Sequence, residues 1–222
     1  MKLFSLNLVK FVVIIITIIS IFNNMFAFRL FLANLSMIIF FSSDSEWKKS
    51  LDKDDIVIYT RSLDTSSFNE FLAEATFKGS IDDIKRILMD VDSYHKWMPD
   101  CKSAKVVENP SSSEITYHMK LRVPFPFANR DIIQQLIFHE QADSLEIDII
   151  NRPKKVKKQK KYVRMQEAKG RWIIYKISDD EISVRFQYFA DPGGDIPAWL
   201  VNSFVVKNPH TTIKNMRQMM AD

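Results

Sequence analysis

The chain has 222 residues, of which 46% are apolar, and its formal net charge is +4. Its single cysteine excludes an internal disulfide framework and a cysteine-based zinc cluster, and four histidines leave few ligands for another metal centre. Its four glycines show neither Walker nor dinucleotide-binding spacing. From these counts together we expect no cofactor and no metal.

The first 41 residues are mostly apolar and contain no acidic residue. Lys2 and Lys10 precede the apolar run at residues 11–22, and uncharged sequence continues to residue 28. A short apolar run behind positive charge is typical of a secretory signal, whereas an uncharged stretch of about 17–25 residues suits a transmembrane helix. We therefore predict that residues 1–41 are either a signal peptide or a retained membrane anchor. A buried core helix is the third interpretation.

Positive charge ahead of an apolar run favours a cytoplasmic amino terminus. Whether the leader is cleaved or retained, the folded part of the chain would then lie across the membrane. The sequence therefore predicts an exported or membrane-anchored protein whose domain is periplasmic or extracellular.

Residues 42–55 are polar and charged, which predicts a spacer ahead of a domain at residues 56–222. Short β-branched and aromatic runs predict strands at residues 56–61 and 71–77. Ser80 and Asp83 have the spacing of a capping box, and apolar residues follow at helical spacing to Val91, so a helix is expected there.

Beyond this helix, apolar and polar residues alternate in most segments, as on a strand with one buried face. The clearest case is residues 115–123, where Ile115, Tyr117, Met119 and Leu121 share one face. Further strands are predicted at residues 104–108, 131–139, 145–151, 160–167, 171–177 and 181–189.

A final helix is predicted to begin near Pro197, with Asp195 as its cap. Pro209 lies inside its apolar pattern, which predicts a kink or break near residues 205–208. Two strands, a helix, many strands and a long helix favour an α+β fold in which a curved antiparallel sheet wraps around the C-terminal helix.

Four local patterns occur in a specific order along this framework. They are YHKW at residues 94–97, PFP leading to Arg-Asp at residues 124–131, GRW at residues 170–172, and DPGG with IPAWLVN at residues 191–202. Together they resemble the START-domain family of lipid-binding proteins, an exported bacterial-type subgroup in particular. The family belongs to the helix-grip superfamily, which also contains polyketide cyclases, and the resemblance covers roughly residues 46–220.

The resemblance implies a hydrophobic cavity between the sheet and the C-terminal helix, which holds a lipid or another apolar small molecule. It implies no catalytic group, and the identity of the ligand does not carry over. Ten apolar and aromatic residues on the predicted strands and helix are candidates for lining this cavity, although packed core accounts for most such residues equally well. They are Tyr117, Met119, Leu121, Trp172, Phe186, Tyr188, Trp199, Leu200, Phe204 and Met216.

Three functions stay open at this point. The first is a non-catalytic carrier of an apolar ligand, the second a cyclase or aromatase that uses the same cavity, and the third an interaction module with a filled core. His118 and His139 are interpreted as hydrogen-bonded or solvated, without a catalytic or metal role. Arg122 and Arg185 are interpreted as surface charges unless one binds a ligand anion, and Arg130–Asp131 as an ion pair. The absence of a matched acid and base in the sequence favours the carrier.

A basic run lies where two predicted strands connect, within residues 152–171, which hold ten Lys or Arg and one Glu. The rest of the domain is acidic, which argues against a nucleic-acid surface. The run is either a solvated hairpin or a site that contacts an anionic membrane surface. The candidate contacts are Lys154, Lys155, Lys157, Lys158, Lys160 and Lys161.

Overall fold

The computed structural model describes residues 46–221, and these form one sheet, two short helices and a long C-terminal helix. The strands are β1 (Lys48–Lys53), β2 (Ile56–Leu63), β3 (Ser66–Lys78), β4 (Cys101–Ser111), β5 (Glu114–Leu121), β6 (Arg130–Gln141), β7 (Ser144–Asn151), β8 (Val163–Arg164), β9 (Glu167–Lys176) and β10 (Glu181–Asp191). The helices are α1 (Ile81–Met89), α2 (Tyr94–Trp97) and α3 (Ala198–Ala221). The predicted leader, with the localisation that rests on it, lies outside the described residues.

The strand order is β1-β2-β3-β10-β9-β7-β6-β5-β4, and every neighbour on this path is antiparallel. The one parallel pairing joins β8 to the start of β6. The inner face of this curved sheet packs around α3, as the α+β helix-grip prediction requires. No helix within residues 46–221 combines the length and the apolarity that a membrane crossing needs.

Strand β1 lies inside the stretch that was expected to be a polar spacer. It pairs with β2 at the edge of the sheet, and only Leu51 among its residues is partly buried. An edge strand with two exposed faces needs no apolar alternation, so the pattern that reveals the other strands is absent here. The predicted strand at residues 160–167 is also wrong in extent, because only Val163–Arg164 and the first residue of β9 are extended there.

The starts of both predicted helices agree with the sequence, although Pro197, and not the expected cap Asp195, directly precedes α3. Ser80 caps α1 through a capping box, since its hydroxyl accepts from the Asp83 amide while the Asp83 carboxylate accepts from the Ser80 amide. Helix α3 begins directly after Pro197, whose carbonyl accepts from the amides of Leu200 and Val201. Of the expected kink or break near residues 205–208, the break is wrong, because α3 continues through Pro209 to Ala221.

A buried ion pair ties β8 to β6. The Asp131 carboxylate is fully buried, and Arg164 donates to both of its oxygens, from Nε at 2.9 Å and from Nη2 at 2.7 Å. His118 Nε2 lies 2.8 Å from Asp131 Oδ2, with only 11% of its side chain exposed. The expectation of an Arg130–Asp131 ion pair is therefore wrong, because successive strand residues point to opposite faces. Of the two expectations for His118, the structure selects a hydrogen-bonded histidine rather than a solvated one.

Burial alone would raise the pKa of Asp131, but the hydrogen bonds from Arg164 and His118 outweigh burial and hold this pKa below its ordinary value. Asp131 therefore stays ionised, and it depends on Arg164 for its counter-charge.

We predict that Arg164→Met lowers the free energy of unfolding by about 3–5 kcal/mol, because it leaves the Asp131 carboxylate buried without a cation. Arg185→Met is the matched control, since the Arg185–Glu74 pair is half exposed and contributes about 0–1 kcal/mol. Urea unfolding of both variants measures the difference. Equal losses would show that burial of Asp131 does not constrain the fold.

Candidate lipid-binding cavity

A cavity of about 230 Å³ lies between the inner face of the sheet and α3. Its floor is formed by β3, β5, β6, β7, β9 and β10, and its roof by the first half of α3. Seven of the ten residues predicted from the sequence line it. They are Tyr117, Met119, Leu121, Trp172, Phe186, Tyr188 and Phe204.

The other three predicted residues lie elsewhere. Trp199 is 73% exposed, Leu200 is half-buried outside the cavity, and Met216 is fully buried in the core. The cavity-facing side of α3 instead presents Val201, Phe204, Val205, Asn208 and Thr212, which recur at helical spacing. Trp199 and Leu200 fall outside this stripe, and Met216 packs one turn beyond its end.

Aromatic rings form much of the floor. Trp172 and Phe186 are cross-strand partners on β9 and β10, and their rings stack with centroids 3.8 Å apart. Phe71 on β3 packs edge-on against Phe186 at 5.1 Å. Phe71 was not among the residues predicted to line the cavity, although it alternates with Ala73, Ala75 and Phe77 on one face of its strand.

Three polar side chains form a hydrogen-bonded chain across this floor. Tyr117 donates its hydroxyl hydrogen to Gln134 Oε1 at 2.7 Å, and Gln134 Nε2 donates to the Tyr188 oxygen at 2.9 Å. Burial raises the pKa of both tyrosines, so both phenols stay neutral at physiological pH. Gln134 was missed from sequence, but a polar residue between Ile132 and Leu136 on the apolar face of a strand was the available signal.

Gly170 allows Tyr188 to reach this chain. The two residues are cross-strand partners, and a Cβ atom on Gly170 would lie 2.5 Å from Tyr188 Cδ2 and 2.7 Å from the Gln187 carbonyl oxygen. The Tyr188 ring therefore occupies the place that a side chain on β9 would take.

The described residues that line the cavity carry no charge. Arg122 is exposed outside the cavity, and Arg185 pairs with Glu74 at 2.9 Å on the outer face, so neither reaches a ligand there. His139 is exposed and lies 3.1 Å from Asp148. No cluster of His, Cys and carboxylate side chains within residues 46–221 could hold a metal ion.

Arg130 fixes the loops at one end of the cavity. Its buried guanidinium donates to the carbonyl oxygens of Pro192 at 3.2 Å and Gly193 at 2.6 Å, and also to that of Ala128. These bonds join the segment between β5 and β6, residues 122–129, to the turn that leads from β10 into α3. Because Leu121 and Pro192 both line the cavity, this joined pair of segments forms its rim.

The basic run belongs to a loop on the outer face of the sheet, which we call the lysine loop (residues 152–162). Its end is joined to the segment between β5 and β6, because the Val163 amide donates to the Asn129 carbonyl at 3.0 Å. It connects β7 to β8, and because β8 pairs with β6 in parallel it is not a hairpin. Arg164 donates to the carbonyl oxygens of Pro153 at 2.6 Å and Val156 at 2.9 Å, which fixes the loop above Asp131. All six predicted lysines are exposed, although Lys155 also pairs with Glu108 at 2.8 Å.

Two large aromatic side chains are exposed at this rim. Phe125, in the segment between β5 and β6, is 97% exposed, and Trp199, in the first turn of α3, is 73% exposed. The rim therefore presents two aromatic rings to solvent, and the lysine loop lies beside it on the outer face of the sheet.

Comparison with known proteins gives concordant matches. The family model described as START domain matches residues 40–221. A crystal structure of a fragment of the STAR-related lipid transfer protein from Xanthomonas axonopodis has a TM-score of 0.75 and 28% identity, and the match covers 80% of this chain and 100% of that one.

Two curated relatives extend this similarity. An uncharacterised protein of Pseudomonas aeruginosa is 28% identical over 173 residues, which are 78% of this chain and 85% of the relative. The phosphatidylcholine transfer protein of Mus musculus is 24% identical over 169 residues, which are 71% of this chain and 76% of the relative.

We predict that Gly170→Ala lowers the free energy of unfolding by about 1–3 kcal/mol, because the added methyl group must displace the Tyr188 ring or the β10 backbone. Arg171→Ala, at the exposed neighbouring position, is the control and should change stability by no more than about 0.5 kcal/mol. Chemical unfolding gives both values, and a crystal structure of Gly170→Ala should show Tyr188 separated from Gln134. An unchanged stability and an unmoved ring would contradict this account of the cavity floor.

Proposed function

Because the chain belongs to the START domain family, we propose that its domain binds a lipid or another apolar molecule between the sheet and α3 and carries it without chemical change. The observation that carries this proposal is the uncharged, largely aromatic and aliphatic lining of the cavity. Apolar walls with a few placed polar groups are typical of sites that bind apolar ligands.

The size of the cavity restricts what it holds in this conformation. Its volume of about 230 Å³ is below the range of about 300–1,000 Å³ that is typical for pockets of drug-sized ligands. The cavity therefore suits a single acyl chain or a molecule of similar bulk, and a larger lipid requires α3 to move away from the sheet.

The chemistry of the lining favours a carrier over a cyclase. General acid–base catalysis needs a group with a pKa near the working pH, placed against the substrate. No histidine or carboxylate is among the described residues that line the cavity, and burial raises the pKa of its three tyrosines, Tyr94, Tyr117 and Tyr188. These phenols act as neutral hydrogen-bonding groups rather than as a base.

We predict that Val201→Trp weakens the binding of a fluorescent fatty-acyl probe at least tenfold, because the indole fills the cavity beneath α3. Ser203→Trp is the matched control, since Ser203 is exposed on the same helix and does not line the cavity, and it should bind as the wild type does. Probe titration followed by fluorescence measures both affinities. Equal binding by the two variants would place the ligand outside this cavity, and no binding by the wild type would refute the carrier function.

We propose further that the rim contacts an anionic membrane surface while the ligand is exchanged. Tyr, Trp and Phe side chains partition into the membrane interface, and each lysine near an anionic surface contributes about 1 kcal/mol. Phe125 and Trp199 lie at the end of the cavity that Leu121 and Pro192 line, and the lysine loop ends beside them, where the Val163 amide donates to the Asn129 carbonyl. A bound surface would therefore face the route of the ligand.

The lysine loop offers a direct test. Changing Lys157 and Lys158 to Gln should weaken the binding of residues 42–222 to vesicles of phosphatidylcholine and phosphatidylglycerol by about 30-fold at low salt. Lys53 and Lys78, both exposed at the opposite end of the sheet, make the matched control when changed to Gln. Vesicle sedimentation at two salt concentrations measures the binding. Equal effects of the two double substitutions would show that the lysine loop makes no specific contact with the membrane.

We propose the cellular location of the domain from the predicted leader. A signal peptide or anchor at residues 1–41 would put the domain in the periplasm or outside the cell. Cell fractionation with protease protection of residues 42–222 tests this localisation.

A further inference from the structure

The hydrogen-bonded chain on the cavity floor has a defined direction. Tyr117 donates to Gln134, and Gln134 donates to the Tyr188 oxygen, so the Tyr188 hydroxyl hydrogen has no acceptor among the residues the structure describes. Gln134 is only 2% exposed, and Tyr117 only 3%. The chain therefore ends in one hydrogen-bond donor, on a residue that lines the cavity.

The cations near the cavity are engaged with other groups. Arg130 donates to three backbone carbonyls, and Arg164 donates to Asp131 and to two carbonyls of the lysine loop. Arg185 pairs with Glu74 on the outer face of the sheet. An ionised phosphate or carboxylate inside the cavity would consequently lose its hydration without gaining a counter-charge, which is strongly unfavourable.

We propose that the ligand is an uncharged lipid with one acceptor oxygen, such as an ester carbonyl, an ether or a hydroxyl, and that the Tyr188 hydroxyl donates to this oxygen. This inference rests on the lipid-binding function proposed above and specifies the chemical class of the ligand. The aromatic floor would attract a quaternary ammonium group as well, but the phosphate beside it in a phosphocholine head group would find no partner in the cavity.

Lipid probes of equal acyl-chain length test the proposal on the full-length protein in lipid nanodiscs. Each probe carries a photoactivatable diazirine near the middle of its acyl chain. The four probes differ only in the head group, which is a methyl ester, a plain hydrocarbon end, a carboxylate kept ionised at pH 8, or phosphocholine. Mass spectrometry of crosslinked peptides that contain Met119 or Met165, both cavity residues, measures occupancy.

We expect the methyl ester to label these peptides about tenfold more strongly than the plain hydrocarbon, because the free energy of one net hydrogen bond corresponds to a difference in occupancy of this order. The carboxylate and the phosphocholine probes should label more weakly than the hydrocarbon. In Tyr188→Phe the ester should fall to the level of the hydrocarbon, whose labelling should not change. Tyr175→Phe, on an exposed tyrosine of β9, is the control and should behave as the wild type.

The outcomes separate the two proposals. Equal labelling by ester and hydrocarbon in the wild type, or an ester preference that survives in Tyr188→Phe, would refute the role of Tyr188 while lipid binding stands. Strongest labelling by the carboxylate or phosphocholine probe would refute the uncharged ligand. No labelling of cavity peptides by any probe would refute the lipid-binding function itself.

Discussion

A buried carboxylate constrains one end of this molecule. Asp131 has no contact with solvent, so its charge requires Arg164 on the parallel strand β8, and the nearly buried His118 on β5 lies within hydrogen-bonding distance of it. Arg164 has guanidinium hydrogens left after binding Asp131, and these fix the lysine loop through two carbonyls. A single charge buried at the start of β6 thereby determines where the basic surface lies relative to the cavity.

Neighbouring Arg130 acts on the opposite face in a complementary way. Among residues 46–221 it donates to no carboxylate, and it satisfies its guanidinium with carbonyls from two separate segments. The rim of the cavity is thus fixed by backbone acceptors, which keeps ionised groups away from the apolar interior. Farther inside, Tyr117, Gln134 and Tyr188 satisfy one another, so the floor accommodates polarity without introducing charge.

Sequence periodicity predicted the parts of the fold in which one face is buried. Residues 115–123 alternate cleanly, and β5 occupies most of this range with Tyr117 and Met119 facing the cavity. Strand β1 was not predicted, because neither of its faces is buried in a core and its sequence therefore shows no alternation. The ion-pair partner of Asp131 was not predicted, because Arg164 is 33 residues away in sequence. Nothing in the local pattern distinguishes Arg164 from Arg130, which is adjacent to Asp131, as a partner.

Helix phase explains the errors at the cavity roof. A helix turns about 100° per residue, so the direction of a side chain in its first turn depends on where the helix begins. The apolar residues Trp199, Leu200 and Val201 are consecutive, and sequence alone did not determine which of them faces the sheet. The structure selects Val201 and leaves Trp199 in solvent. Gln134 was overlooked for a different reason, because a polar residue on an apolar face resembles a packing defect until its partners are known.

The two halves of α3 differ in how firmly the sheet holds them. Beyond Pro209, Thr212, Ile213 and Met216 are buried, and Arg217 donates to the Asp54 carbonyl at 2.7 Å. Before Pro209 the cavity-lining residues are only half-buried, and Pro209 provides no amide hydrogen to bond the Val205 carbonyl. The first half can therefore exchange its amide hydrogens through local opening, at a lower free energy than global unfolding, while the second half remains part of the cooperative core.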